Sequence, residues 1–276
     1  MNRLADIEAQ LISKAQSTKR VAIVTGSLSG IGLGIAHSLA KRGYHIVLNG
    51  LSHQADIDKT VADFKSKYPD VEAKYIYADL TKRVDCKNIV DQTVSHFGRL
   101  DVVVNNAGIQ HIDECVNFPE HKWEEVIALN LSSAFYMSKY SIPHMLKNNW
   151  GRIINISSVH GLVASVNKSA YVSAKHGIVG FTKAIALEYA KKGITSNAVC
   201  PGWVFTPLIE KQIKIISERE KISFEQASDK LVAEKQPSGK FSQPEDLGEV
   251  VGFLVSDNAR QVNGATWTMD GGWTAQ

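Results

Sequence analysis

A strand, a glycine turn and a helix in immediate succession near the start of the chain constrain its fold more than any other stretch. Residues 21–25 read VAIVT, an apolar run short enough for a buried strand. Gly26, Gly30 and Gly32 follow, and a helical pattern then runs to a stop near Gly43. Glycines let a backbone turn tightly and approach a phosphate, and the open amides of a starting helix attract its negative charge. The spacing is Gly-x-x-x-Gly-x-Gly rather than the usual dinucleotide fingerprint Gly-x-Gly-x-x-Gly. A bare helix cap would use glycines in the same way, but the strand before and the helix after favour phosphate binding.

The alternation continues. Strands are expected at 44–49, 72–77 and 101–104, with helices near 54–67 and 84–97 between them. A longer helix is expected over 120–147, carrying Asn130 and bent at Pro143. Further strands are expected at 152–156, 194–199 and 266–269, with a helix at 243–255. Strands alternating with helices predict an α/β fold with a doubly wound parallel sheet, whose ligands sit beyond the carboxyl ends of the strands. Asp79, Asn106, Ser158 and the glycine turn all follow strands, so they are expected at one crevice. Residues 203–240 are richer in charge and carry two helical patterns bounded by Pro207, Pro237 and Gly239, as expected of a helical substrate lid. With 276 residues and 44% hydrophobic content, one domain over 19–276 is expected. Leu4, Ile7 and Leu11 form a short apolar stripe in residues 1–18, which read as an extra helix or a tail.

The stretch 157–175 carries the candidate chemistry. Ser158 lies thirteen residues before Tyr171, and Lys175 four residues after it, so Tyr171 and Lys175 share a helix face. A free Tyr titrates near about 10 and a Lys near about 10.4. An ammonium beside the phenol is expected to favour the phenolate, making Tyr171 an acid or base near neutral pH. Ser158 is placed to hydrogen-bond the reacting oxygen. A Tyr-x-x-x-Lys pair taken alone is more often a solvated helix face; the serine at its fixed offset argues against that.

Composition removes several classes. The 31 basic and 28 acidic residues are interspersed, with a net charge of +3, and leave no basic stripe for nucleic acid. Cys86, Cys115 and Cys200 are far apart without Cys-x-x-Cys spacing, so neither a disulfide framework nor a metal site is expected. No apolar run approaches the roughly 18 residues of a membrane span. A cytoplasmic protein without membrane or nucleic-acid partners is the expectation.

From residue 19 onward the chain resembles the short-chain dehydrogenase/reductase family. The matching motifs are Thr25-Gly26-x-x-x-Gly30-x-Gly32, Asn105-Asn106-Ala107-Gly108, Asn130, Ser158, Tyr171-x-x-x-Lys175 and Pro201-Gly202. The resemblance implies a single Rossmann-type domain with a seven-stranded parallel sheet, a homotetramer, and NAD or NADP as cofactor. It makes Tyr171 the general acid/base and Ser158 the group that polarises the reacting oxygen. Lys175 would bind the nicotinamide ribose, and Asn130 would hold a water linking Lys175 to solvent. Cofactor contacts would come from Gly26, Ser29, Gly30, Ile31, Gly32, Asp79, Leu80, Asn106, Pro201, Val204 and Thr206, besides Tyr171 and Lys175.

Within that family the chain is most similar to the 3-hydroxybutyrate dehydrogenases. This rests on residues 106–110, on Ser158-Val159-His160-Gly161-Leu162-Val163-Ala164-Ser165 with Lys168, on Pro201-Gly202-Trp203 with Thr206-Pro207, and on Gln212, residues 234–238 and Asp270-Gly271-Gly272-Trp273. A small hydroxy acid or keto acid needs its carboxylate caught by a cation and neutral donors, which Gln110, His160, Lys168 and Gln212 can supply. Trp203 and Trp273 can wall a small apolar pocket. Each of these also has an ordinary reading as a solvated or core residue. The turn Asn49-Gly50-Leu51-Ser52 offers neither an acid for a ribose hydroxyl nor a base for a 2′-phosphate, and the absence of a basic residue makes NAD the expected cofactor. Two alternatives stay open: a related reductase for oxoacyl thioesters, sugars or cyclic ketones, and a cofactor-sensing module without catalysis.

Overall fold

The computed structural model describes residues 19–275, so the stripe at Leu4, Ile7 and Leu11 lies outside the described residues. Five of the strands are buried along their whole length, and this decides the architecture: β1 (Val21–Val24), β2 (His45–Leu48), β4 (Val102–Asn105), β5 (Gly151–Ile156) and β6 (Ile194–Pro201). A strand with no solvated face must be covered on both sides, which a parallel sheet with crossover helices achieves. With β3 (Ala73–Tyr75) and β7 (Thr266–Met269) they form one seven-stranded sheet in the order β3-β2-β1-β4-β5-β6-β7. Every pairing is parallel.

The order reverses between β1 and β4, which opens a crevice at the carboxyl ends of the strands. On one face the core gathers Ile35, Leu39 and Phe64 around β1 and β2; on the other, Ile89, Met137 and Met145 pack under β1 and β4. Burying each such side chain stabilises the fold by about 1.5–3 kcal/mol. Helix α1 (Gly30–Lys41) leaves the glycine turn, followed by α2 (Gln54–Lys67) and α3 (Arg83–Phe97). At the opposite end of the sheet, the buried Asp101 carboxylate accepts from Val21 N at 2.8 Å and from Arg99 through both oxygens, locking β1 to the segment entering β4.

The expected helix over 120–147 is interrupted: α4 (Glu120–Ile127) passes through a π turn (Ala128–Ser132) into α5 (Ser133–Lys147). The interruption falls at Asn130, while α5 continues through Pro143. The wider turn aims Asn130 at the loop after β4, where its side chain accepts from Ile109 N at 2.9 Å and donates to Ile109 O at 2.8 Å.

After β5 a short 3₁₀ turn (Val159–Gly161) leads to α6 (Ser169–Tyr189). The two helical patterns of 203–240 form α7 (Pro207–Glu220) and α8 (Phe224–Ala233). Thr206 caps α7 with its hydroxyl, and Ser223 and Gln226 close a reciprocal cap on α8. This flap has a small core of its own, Ile209, Ile213, Ala227 and Leu231. Helix α9 (Pro244–Leu254) docks on α1 through Ser38, whose hydroxyl donates to Gly248 O at 2.8 Å.

Candidate active site

The glycine turn and the loop after β4 are clamped together. Thr25 Oγ1 accepts from Asn106 N and Ala107 N at 2.9 and 3.0 Å, and Asn106 Nδ2 donates to Thr25 O and Gly26 O at 2.8 and 3.1 Å. Gly26 holds a φ of 62°, and a Cβ on Gly32 would lie 2.5 Å from Asn106 Nδ2 and closer still to the Gly26 carbonyl. No larger residue permits this turn. Helix α1 starts at Gly30 with no side-chain cap from Ser29 and no acid in its first turn. Its amides therefore open toward the crevice, which Gly26, Ser29, Gly30, Ile31 and Gly32 line. A bare, positively polarised helix start over a glycine cradle fits the pyrophosphate of a dinucleotide.

The crevice has a volume of about 480 Å³ and also takes in Asn106, Pro201, Val204 and Thr206. Leu28 lines it as well, together with Gly50 and Leu51 of the turn after β2. Asn49 turns inward: its side chain donates to Ile76 O and Ala78 O at 3.3 and 3.2 Å. Asp79 and Leu80 do not line the crevice. Asp79 accepts from the Thr81 hydroxyl at 2.6 Å and pairs with Lys82 at 3.1 Å, and Leu80 is buried in the core beside Cys86 and Ile89.

Ser158, Tyr171 and Lys175 meet on the opposite wall. A buried amide network sets their spacing: Asn105 Nδ2 donates to Asn155 Oδ1 at 2.8 Å, and Asn155 Nδ2 to Thr182 Oγ1 at 2.9 Å, joining β4, β5 and α6. Ser157 adds a second tie by donating to Lys175 O at 3.0 Å. Neither network was legible beforehand, because a polar residue in a strand gives no sign of its partner. Lys175 Nζ lies 5.5 Å from the Tyr171 ring centre and donates to Ile156 O at 2.8 Å.

Burial pushes the Tyr171 phenol above its ordinary value, a hydrogen bond with Ser158 pulls it down, and the neighbouring Cys200 pushes it up again. Lys175 is brought down to about 8 by burial. Lys175 is not among the groups that shift the phenol in this structure; its ammonium is held by the Ile156 carbonyl. Asn130 does not line the crevice; its amide grips Ile109 at both ends, one element behind the catalytic wall.

At the far end stand Gln110, His160, Lys168, Trp203 and Trp273; Gln212 is not among the lining residues. Helical spacing places Gln212 next to Ile213, which faces the flap's own core, so its side chain belongs to α7 rather than to the crevice wall. Lys168 is lowered by burial and raised by Glu234, and its ammonium makes no ion pair among the described residues. The His160 ring packs edge-on against Tyr171 and Trp273, with centres 5.9 and 5.6 Å apart, and Trp203 lies 6.0 Å from Trp273. Burial brings His160 down to about 4, so it is neutral at neutral pH. Gln236 anchors this wall: buried, it accepts from Trp203 N at 2.8 Å and donates to Lys240 O. Trp203 Nε1 is buried without a partner among the described residues.

A family model described as enoyl-(acyl carrier protein) reductase matches residues 26–274. The chain is 51% identical over 257 residues to a D-beta-hydroxybutyrate dehydrogenase of Cupriavidus necator, covering 93% of this chain and 98% of that one. It is 46% identical to a D-beta-hydroxybutyrate dehydrogenase of Rhizobium meliloti, covering 93% and 99%. Among solved structures, an actinorhodin polyketide ketoreductase with NADPH superposes with a TM-score of 0.86 at 34% identity, covering 94% and 99%. No described helix is long and apolar enough to cross a membrane, and no described cluster of His, Cys, Asp and Glu could hold a metal ion.

Proposed function

The chain belongs to the short-chain dehydrogenase/reductase family, and from that premise we propose that it catalyses the reversible, NAD-dependent oxidation of D-3-hydroxybutyrate, the (R) enantiomer, to acetoacetate. The observation that carries this reading is the half-buried Lys168 ammonium, free of any ion pair among the described residues, in the same crevice as Ser158 and Tyr171. A small hydroxy acid needs both: a cation for its carboxylate and a proton acceptor for its hydroxyl. Gln110 adds a neutral donor, and Trp203 and Trp273 close the space around a methyl group. Two relatives at 46–51% identity carry this substrate in their names.

The family binds a nicotinamide cofactor, which when bound supplies the hydride acceptor. The helix α1 start and Gly26, Gly30, Gly32 and Asn106 would hold its phosphates, and Pro201, Val204 and Thr206 its nicotinamide end. Tyr171 takes the proton from the substrate hydroxyl and returns it in the reverse direction. Ser158 donates to the same substrate oxygen and keeps it within reach of the phenol. Lys175, titrating at about 8, carries its charge at neutral pH beside Tyr171 and favours the phenolate as the proton arrives. With its amide committed to Ile109, Asn130 serves by shaping the π turn and the crevice floor, and a water relay would run along its main chain.

NAD is favoured over NADP because Leu51 and Gly50 line the adenosine end where a 2′-phosphate would need a cation. We also place the enzyme in the cytoplasm as a homotetramer: its cysteines are unpaired, and Phe135 and Leu187 expose apolar surface on α5 and α6. A second reading, a reductase of bulky oxoacyl substrates, is favoured by the polyketide ketoreductase likeness and by the acyl-carrier-protein reductase description of the matching family model. The test is cofactor reduction with (R)- and (S)-3-hydroxybutyrate, each with NAD and NADP, alongside Tyr171→Phe. Turnover of the (R) acid with NAD, abolished by the substitution, is expected. Faster turnover of an acyl thioester, or a higher specificity constant with NADP, would overturn the corresponding part.

A further inference from the structure

The turn that carries Trp273 hangs on one carboxylate. Strand β7 ends at Met269, and the chain reverses through Gly271 and Gly272, at φ of 56° and 93°, into a single 3₁₀ turn, Trp273–Ala275. The Asp270 carboxylate, 7% exposed, accepts from Gly272 N at 3.1 Å, from Thr274 N at 2.9 Å and from Thr274 Oγ1 at 2.5 Å. Burial pushes this carboxyl up, and the bonds from Thr274 and Gly272 pull it below its ordinary value, so it is ionised at neutral pH and its bonds are charge-assisted. We propose that Asp270, through Thr274, is a positioning residue that fixes Trp273 against the crevice and so sets the chain length of the hydroxy acid the enzyme accepts. The proposal rests on the dehydrogenase reading of this crevice and deepens it.

The indole itself has little to hold it. Among the described residues it makes ring contacts and no hydrogen bond: edge-on to His160 at 5.6 Å and tilted against Trp203 at 6.0 Å. Ring contacts of this kind tolerate a range of offsets, so the backbone must fix where the indole stands. That backbone is held from within by the Asp270 cap and by Trp273 N, which donates to Asp270 O at 3.1 Å. From outside it is held by Ser238 N, which donates to Gly271 O at 3.0 Å, and a Cβ on Gly271 would collide with Ser238 Oγ.

Trp203 has a separate anchor in Gln236, which accepts from Trp203 N at 2.8 Å. The two indoles are thus carried by two backbone clamps that meet at residues 236–238, and the clamps fix the gap between them. Gln110, His160 and Lys168, the groups for the carboxylate, come from other loops, so the Asp270 cap acts on the apolar end of the substrate. One methylene in an apolar pocket changes a specificity constant by roughly tenfold to two-hundredfold. A hydroxy acid two methylenes longer is therefore expected to react at least about tenfold less well than (R)-3-hydroxybutyrate.

The test uses the full-length enzyme and reads the ratio of specificity constants for (R)-3-hydroxybutyrate over (R)-3-hydroxyhexanoate. Asp270→Ala, which removes all three bonds, is expected to narrow that ratio about tenfold. Thr274→Val keeps the shape and loses the hydroxyl bond, and it should narrow the ratio by a smaller factor; Thr274→Ser should keep the wild-type ratio. Trp273→Ala is expected to narrow the ratio as well, and adding Asp270→Ala to it should change it no further. A ratio that stays at the wild-type value in Asp270→Ala and Thr274→Val, with both acids losing equally, would overturn the proposal, as would additive changes in the double variant. Fluorine spectra of the substrate-free protein labelled with 5-fluorotryptophan give a separate reading, the Trp273 signal being identified by its loss in Trp273→Phe. Thr274→Val should shift or broaden that signal and leave that of Trp150, at the other end of the sheet, in place. An unmoved Trp273 signal would refute the positioning role. If the wild type turns over neither acid, the dehydrogenase reading fails, and the spectra still decide whether the Asp270 cap holds the indole.

Discussion

Replacing Lys168 by Met removes one positive charge from the crevice and nothing from the fold. The ammonium has no hydrogen bond or ion pair among the described residues, and its main-chain carbonyl, which accepts from Val172 N at 2.8 Å, is untouched. Methionine matches the aliphatic stem in length and flexibility. The fold has already met the cost of burying the ammonium, so a substrate carboxylate is the group that repays it. A hydrogen bond to a charged group contributes about 1.5–3 kcal/mol, which corresponds to roughly tenfold to a hundredfold in binding. Initial rates should show KM for (R)-3-hydroxybutyrate rising by that factor. The specificity constant for 2-butanol, which has the hydroxyl without the carboxylate, should stay within about twofold of wild type, since twofold is well under 1.4 kcal/mol. Lys168→Gln, which restores a neutral donor, should recover part of the loss. An unchanged KM for the acid, or an equal loss on both substrates, would refute the assignment of Lys168 to the carboxylate.

Two further outcomes follow from the turn and from the buried lysine. Gly32→Ala should weaken cofactor binding and lower stability by about 1–3 kcal/mol, because the new methyl must displace the Gly26 carbonyl and Asn106. Gly43→Ala, at a φ of 84° with nothing within 4 Å, should cost only backbone strain and leave cofactor titration unchanged. Lys175 has its folded pKa lowered from 10.5 to about 8, so between these values the unfolded chain binds more protons and stability rises with pH. Lys175→Met should abolish turnover and yet be more stable than wild type at pH 7, by up to about 3 kcal/mol. That advantage should fade as pH climbs from 8 to 10.5 in denaturant titrations. An advantage that does not change with pH would contradict the burial of the charge.

Periodicity and punctuation made much of this molecule legible. The alternation of apolar runs and helical stretches specified the parallel sheet, because a strand buried on both faces must be apolar at every position. Gly26, Gly30 and Gly32 announced the cradle, because only glycine tolerates that backbone. The offsets among Ser158, Tyr171 and Lys175 placed them together, because one helix turn and one short connection leave little freedom. The π turn at Asn130 was not legible, because helix patterns do not record a single extra residue per turn.

Other features depended on which atoms meet across the fold. Lys175 shares a helix face with Tyr171 as its spacing requires, yet its ammonium donates to Ile156 O, a partner no spacing reveals. Asp79, Leu80 and Gln212 have the right residue types in the right segments, but their side chains are absent from the crevice wall. Gln236 and Ser157 act through partners that only packing supplies. Sequence by itself determined the layers, the turn and the chemistry available, since these follow from local sterics and from the period of burial. Tertiary structure alone decided which hydrogen-bonding groups pair, since a polar side chain has no partner until distant elements close around it.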